Sequence, residues 1–134
     1  MKRLLCAILL VGLLILPGLG LTEGDDTIRL AKTLYTLGKG ESYETLLDLG
    51  TVVMNRVDSP WYPDTVYGVL TQPHQFACGT LYDELAYRAA REVMMGKRTL
   101  PPDALLYAAL DASAQPDAET LVARSGGYGF YSAR

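Results

Sequence analysis

Two glutamates, Glu41 and Glu44, stand close together in the sequence, with Tyr35 just before them and Trp61, Tyr62 and Phe76 further along. Cleavage of a glycosidic bond asks for a carboxylic acid to protonate the leaving oxygen. It also asks for a second group to handle the oxocarbenium-like state and for aromatic faces against the sugar rings. These residue types could supply all three. A plainer reading stays open beside it. Acidic residues are ordinary at a helix start, where the dipole favours them, and Trp61 and Tyr62 could simply pin a loop to the core. Other chemistries lack material. His74 is the only histidine, so histidine-based metal sites and Ser-His-Asp triads have almost nothing to draw on. It is expected to be an exposed or hydrogen-bonded polar residue in a proline-containing loop. There is no P-loop, no GxGxxG after a strand and no CxxC pair, and Gly126-Gly127-Tyr128-Gly129 reads as a turn rather than a phosphate cradle.

The elements that must position these residues follow from periodicity. Leu30, Leu34 and Leu37 fall at i, i+4 and i+7, widened by Ile28, Ala31 and Tyr35, which predicts an amphipathic helix. Asp25, Asp26 and Thr27 offer caps for its start. Gly38 and Gly40 bracket Lys39 and end it. Ser42 is then the predicted N-cap of a longer helix carrying Leu46, Leu49, Val53 and Val57 inward. Asp48, Thr51 and Asn55 lie on its opposite side and are expected to face solvent or a cleft. The segment 58–63 holds two prolines and must be a loop. Asp64 or Thr65 can cap a short helical turn through Val66, Val69 and Leu70, and Gln72-Pro73-His74-Gln75-Phe76 breaks the chain again. Leu81 to Met95 has a helical pattern, with Leu85, Ala89 and Val93 inward, a Glu84–Arg88 pair outward and Gly96 as the stop. Leu105 to Leu110 reads as a short strand or a turn of helix. Gln115-Pro116-Asp117 is a further break, and Ser125 to Tyr131 looks like a turn into an edge strand. The fold class is therefore α+β, predominantly helical, with a small β element near the C-terminus.

Composition narrows the setting. Residues 1–20 join Lys2 and Arg3 to an apolar run from Leu4 to Leu16, followed by Pro17, Gly18 and Gly20. That is the layout of a secretory signal peptide, and the run is short for a bilayer span of roughly 20 residues. An uncleaved membrane anchor is the second reading. The remaining domain, 21–134, keeps ten basic against fifteen acidic residues once Lys2 and Arg3 are removed, a net charge of −5. Such a surface disfavours nucleic acid as a partner. Within it Cys78 is the one cysteine, so no disulfide can form inside the domain, and it is expected to be a small buried apolar residue. Residue physics alone ends at an exported, mostly helical domain with sugar-binding character.

The order of motifs adds more. LAKTLYTLGKGESYE, then GTVVMNRVDSPWYPDTVYGVLTQPHQF, then an alanine-rich helix, LLYAAL and SGGYGFY, resembles the SleB-like cell wall hydrolases, the spore cortex-lytic family. The most specific part runs from Val53 to Phe76, where Asn55-Arg56-Val57, Pro63-Asp64-Thr65, Gly68-Val69 and Gln72 with Gln75-Phe76 stand at family spacing. The resemblance implies a lysozyme-like fold, peptidoglycan glycan strands as the partner, and lytic transglycosylation or hydrolysis by a single glutamate. It implies no metal and no organic cofactor. By the same resemblance Glu41 is the surviving acid, and Tyr35, Asn55, Gln72, Gln75, Phe76 and Tyr128 are the substrate-binding set. Two positions depart from the family. Where its YAEARGE motif has the first glutamate this chain has Leu37, and where its C-terminal segment has histidine this chain has Tyr128. The departures leave two functional expectations, a secreted glycan-strand cleaving enzyme or a non-catalytic wall-glycan binder.

Overall fold

A computed structural model describes residues 21–110 and 120–133; residues 1–20, expected to be a signal peptide, and the expected break at Gln115 to Asp117 lie outside them. Helix α1 spans Leu21–Gly38, α2 Tyr43–Asp58, α3 Val66–Leu70 and α4 Glu84–Met94. Strands β1 (Ala104–Ala109), β2 (Leu121–Ser125) and β3 (Tyr128–Ser132) form one antiparallel sheet in the order β1-β3-β2. Among the described residues no helix is long and apolar enough to cross a membrane.

α2 is the hub. It packs on α1, α3, α4, β1 and β2, and residues from Thr45 to Arg56 along it are buried, with Asp48 half-buried. Its apolar side sets Leu46, Leu49, Val52 and Val53 against Leu30, Ala31 and Leu34 of α1, Ala86, Ala89, Ala90 and Val93 of α4, and Phe130 of β3. Small residues let α4 come close: a methyl group built on Gly50 would meet Val93 Cγ2 at 3.0 Å. Ser42 caps α2 as its type predicts, its hydroxyl accepting from Thr45 N, while Thr65 caps α3 and Asp83 caps α4. The outward Glu84–Arg88 pair forms at 3.6 Å.

Several expectations are corrected. Asp25, Asp26 and Thr27 lie within α1 rather than capping its start, and Thr27 is buried there. Leu85 is 38% exposed. α4 starts at Glu84, and its buried face is Ala86, Ala89, Ala90 and Val93. Cys78 is exposed, its thiol 3.7 Å from the Leu70 carbonyl. β3 is the central strand, since the Gly126-Gly127 turn folds β2 back onto one edge of it while β1 takes the other.

The largest correction concerns the far face of α2. Thr51 and Asn55 do not face solvent; both are buried, and Asn55 reaches only the edge of a cleft beside Trp61. The loop that follows α4 crosses this face, and its Pro101-Pro102 pair prevents regular backbone pairing. Its polar groups are satisfied by α2 instead. Thr51 Oγ1 accepts from Thr99 N at 3.1 Å. Asn55 Nδ2 donates to the carbonyls of Pro101 (2.8 Å) and Ala104 (3.1 Å), and Arg56 Nε to that of Leu105 at 2.7 Å. Burial lowers the pKa of the Arg56 guanidinium, which stays charged because its ordinary value is so high. Replacing Arg56 with Met keeps length but leaves the Leu105 carbonyl without its charged donor. The variant should lose about 2–3 kcal/mol, read as a lower urea midpoint at unchanged slope. An unchanged midpoint would show that this bond does not anchor the sheet.

Candidate active site

The site forms where the α1–α2 corner meets the β2–β3 hairpin. Gly38 ends α1, and Gly40, at φ +84°, turns the chain so that Glu41 precedes the α2 cap. Across from it the hairpin turns through Gly126, whose φ of +54° suits glycine. Gly127 N then donates to Glu41 Oε1 at 3.1 Å. The other carboxylate oxygen lies over Gly126, where any side chain would collide with it. Thr45 and Ser125 close the same junction by a 2.8 Å hydroxyl pair. Glu41 is thus fixed by two elements far apart in sequence.

From this carboxylate a row of aromatics runs along the sheet. Tyr128 comes first, then Tyr107 with ring centroids 6.1 Å away, then Phe76 stacked on Tyr107 at 5.2 Å and 16°. The Arg56 guanidinium follows, 4.9 Å from the Phe76 ring and 4.8 Å from that of Tyr62. Polar contacts lock the row. Tyr107 Oη donates to the Gln75 carbonyl at 2.5 Å, and Arg56 Nη1 to Gln75 Oε1 at 3.0 Å. The 72–75 turn is closed by Gln75 N on the Gln72 carbonyl at 3.4 Å, with His74 at φ +61°. On the other side of the corner a cleft of about 330 Å³ is lined by Tyr35, Lys39, Glu41, Asp83 and Leu85 among others.

The sequence-selected residues divide. Glu41, Tyr128, Gln75 and Phe76 come together along the aromatic row, and Tyr35 lines the cleft that shares Glu41. Gln72 sits at the start of the 72–75 turn, its Oε1 buried without a hydrogen-bond partner. Asn55 has both amide hydrogens spent on backbone carbonyls and borders a separate cleft beside Trp61. The two departures from the family pattern meet in space: Tyr128 Oη donates to the Leu37 carbonyl at 2.6 Å, occupying an acceptor that the end of α1 leaves open. Leu37 itself is half-buried and packs against the core. Sequence reasoning passed over Tyr107, Arg56 and Asp83. Tyr107 lay in a segment too short to assign by periodicity, and Arg56 was visible only as a letter in the Asn55-Arg56-Val57 motif. Among the described residues no group of His, Cys, Asp and Glu could hold a metal ion.

Burial raises the hydroxyl pKa of both Tyr107 and Tyr128 above the usual 10.0, and the charge of Glu41 adds to the rise at Tyr128. The native state therefore holds these protons at pH values where the unfolded chain has released them. Their contribution to stability is complete below about pH 10 and is lost as pH rises through the higher native values. Thermal stability should fall with rising pH above about 10, and the Tyr107→Phe, Tyr128→Phe double variant should flatten that fall. An alkaline limb of equal slope in both proteins would count against tyrosine burial as its cause.

Comparison with known proteins agrees with the fold. Residues 40–131 match the family described as Cell Wall Hydrolase. The spore cortex-lytic enzyme of Halalkalibacterium halodurans is 36% identical over 80 residues, which is 54% of this chain and 24% of that protein. The spore cortex-lytic enzyme of Bacillus subtilis is 33% identical over 87 residues, 60% of this chain and 28% of that protein. The chain thus spans about a quarter of the length of these relatives. The crystal structure of the catalytic domain of the Bacillus cereus SleB protein superposes with a TM-score of 0.71 at 25% identity, covering 81% of this chain and 90% of that one. The catalytic domain of the germination-specific lytic transglycosylase SleB from Bacillus anthracis gives the same TM-score at 24% identity. Its fold is accordingly that of the SleB catalytic domains, and the chain belongs to the cell wall hydrolase family.

Proposed function

We propose that this domain cleaves the glycan strand of peptidoglycan outside the cytoplasm, with Glu41 as the single acid–base residue. The observation that carries the reading is the position of the Glu41 carboxylate, fixed between helix corner and hairpin at the head of the aromatic row. Glu41 would donate its proton to the glycosidic oxygen as the bond from that oxygen to the anomeric carbon breaks. The carboxylate formed would then take a proton from the muramyl 6-hydroxyl, whose oxygen bonds to the anomeric carbon and closes a 1,6-anhydro ring. Water in place of that hydroxyl gives hydrolysis. Gly127 N–H holds one carboxylate oxygen in place, leaving the other for the substrate.

Tyr35 serves as a wall for a sugar ring, and Gln75, held by Arg56, orients a ring from the side. Phe76, buried between Tyr107 and the Arg56 guanidinium, supports the row from within rather than touching sugar. Gln72, whose Oε1 is buried, starts the turn that carries Gln75, and Tyr128 holds the end of α1 beside Glu41. Asn55 contributes by fixing the 101–104 backbone. Residues 1–20 direct export, so N-terminal sequencing of secreted protein should begin near Leu21; a start at Met1 would favour an anchored form.

Leu37 favours a second reading, a groove that binds glycan without cutting it, because leucine stands where the family motif has its first glutamate. One experiment separates the two. The full chain incubated with peptidoglycan should release fragments with anhydro-muramyl or reducing muramyl ends, identified by mass. Glu41→Gln should slow release by about 10²–10⁴ while leaving the thermal midpoint nearly unchanged. A wild-type chain that binds peptidoglycan but releases nothing, beside a folded Leu37→Glu variant that does, would establish the binder instead.

A further inference from the structure

Trp61 is 75% exposed, although it is the largest apolar side chain in the domain. Its backbone is held by Ser59, whose hydroxyl accepts from Trp61 N at 3.3 Å, and by the prolines at 60 and 63. Beside it lies a cleft of about 440 Å³ floored by Pro60, Pro102 and Leu105, with Asp58 and Asp103 on its rim, a size suited to a small ligand. Arg98 forms one wall but has little to offer a ligand. Its Nη1 donates to the Val93 and Lys97 carbonyls at 2.7 and 2.9 Å, and its Nη2 pairs with Asp58 Oδ2 at 3.3 Å. The rim therefore presents the Asp103 carboxylate and the remaining Oδ1 of Asp58, whose Oδ2 is taken by Arg98. Leu105 joins this cleft to the aromatic row, because Arg56 binds the Leu105 carbonyl and stacks on Tyr62, the neighbour of Trp61.

We propose that the Trp61 cleft is a second sugar site that takes a neutral N-acetylglucosamine unit of the wall glycan, beyond the reacting bond. The proposal rests on the glycan reading above. A pyranose has an apolar face that matches the indole and a ring of hydroxyl donors that match Asp58 and Asp103. The N-acetylmuramic acid unit carries a lactyl carboxylate that would meet the Asp103 carboxylate, which has the same sign and no cation paired with it, while Arg98 is already held by Asp58.

Trp61 is the only tryptophan of the chain, so its emission reports on this cleft alone. Titrating the full-length Glu41→Gln variant with tri-N-acetylchitotriose should produce a saturable blue shift, and N-acetylmuramic acid should produce none at the same concentrations. Adding Asp103→Asn should weaken the chitotriose response about tenfold, the effect expected on losing a charged hydrogen-bond acceptor. Emission that stays unchanged up to millimolar chitotriose overturns the proposal, as does an equal response to both sugars. Product release from peptidoglycan, measured on the wild-type chain, keeps the two ideas apart. A chain that releases fragments while Trp61 stays silent loses only the second site. A responsive Trp61 without release keeps the site and removes the cleavage reading.

Discussion

The rest of the structure depends on the hydrogen bonds from the polar face of α2 to the backbone that leads into β1, which otherwise holds only a local Ala104 N to Pro101 carbonyl bond and an Ala133 N to Asp103 carbonyl bond. A loop carrying Pro101-Pro102 cannot join a helix or a ladder, yet it must cross the domain to deliver β1 to the sheet. Buried carbonyls without donors are costly. Asn55 and Arg56 remove that cost at Pro101, Ala104 and Leu105, and Thr51 does the same for the amide of Thr99. A helix that is apolar on one side and polar on the other is thereby buried almost all round. The placement of β1 determines where Tyr107 stands, and Tyr107 links Phe76 to Tyr128.

The same economy operates at the site. Glu41 joins the hairpin to the helix corner while standing at the head of the aromatic row, so position and structure are served by one side chain. The two-glycine turn is what permits this, since a Cβ at Gly126 would occupy the space of the carboxylate. A site built on a helix corner and a tight hairpin is held more firmly than one carried on an open loop.

Leu37 and Tyr128, which the motif resemblance singles out as departures, are connected by a single hydrogen bond. The tyrosine hydroxyl reaches a backbone carbonyl, an acceptor that does not depend on the side chain at position 37. The pair thus supplies one apolar contact and one backbone tie at the same place. This arrangement leaves Glu41 as the carboxylate tied to both the corner and the hairpin.

Local chemistry was legible in the sequence. Gly38 and Gly40 mark the end of α1, Ser42 caps α2, Thr65 caps α3 and Gly96 stops α4, because each of these depends only on neighbours a few residues away. The order of motifs was enough to indicate the family and its fold. Burial of the polar face of α2 was not legible, because Thr51 and Asn55 look like solvent residues until a distant proline-rich loop supplies partners for them. Nor was the central position of β3, since a strand's neighbours are set by pairing between segments far apart in the chain. Leu85 and Cys78 missed for a related reason: an apolar residue is buried only if another element arrives to cover it. Periodicity and capping fix which residues share a face, whereas tertiary packing decides which faces are covered, and so brings Glu41, Tyr128, Tyr107 and Phe76 into one row.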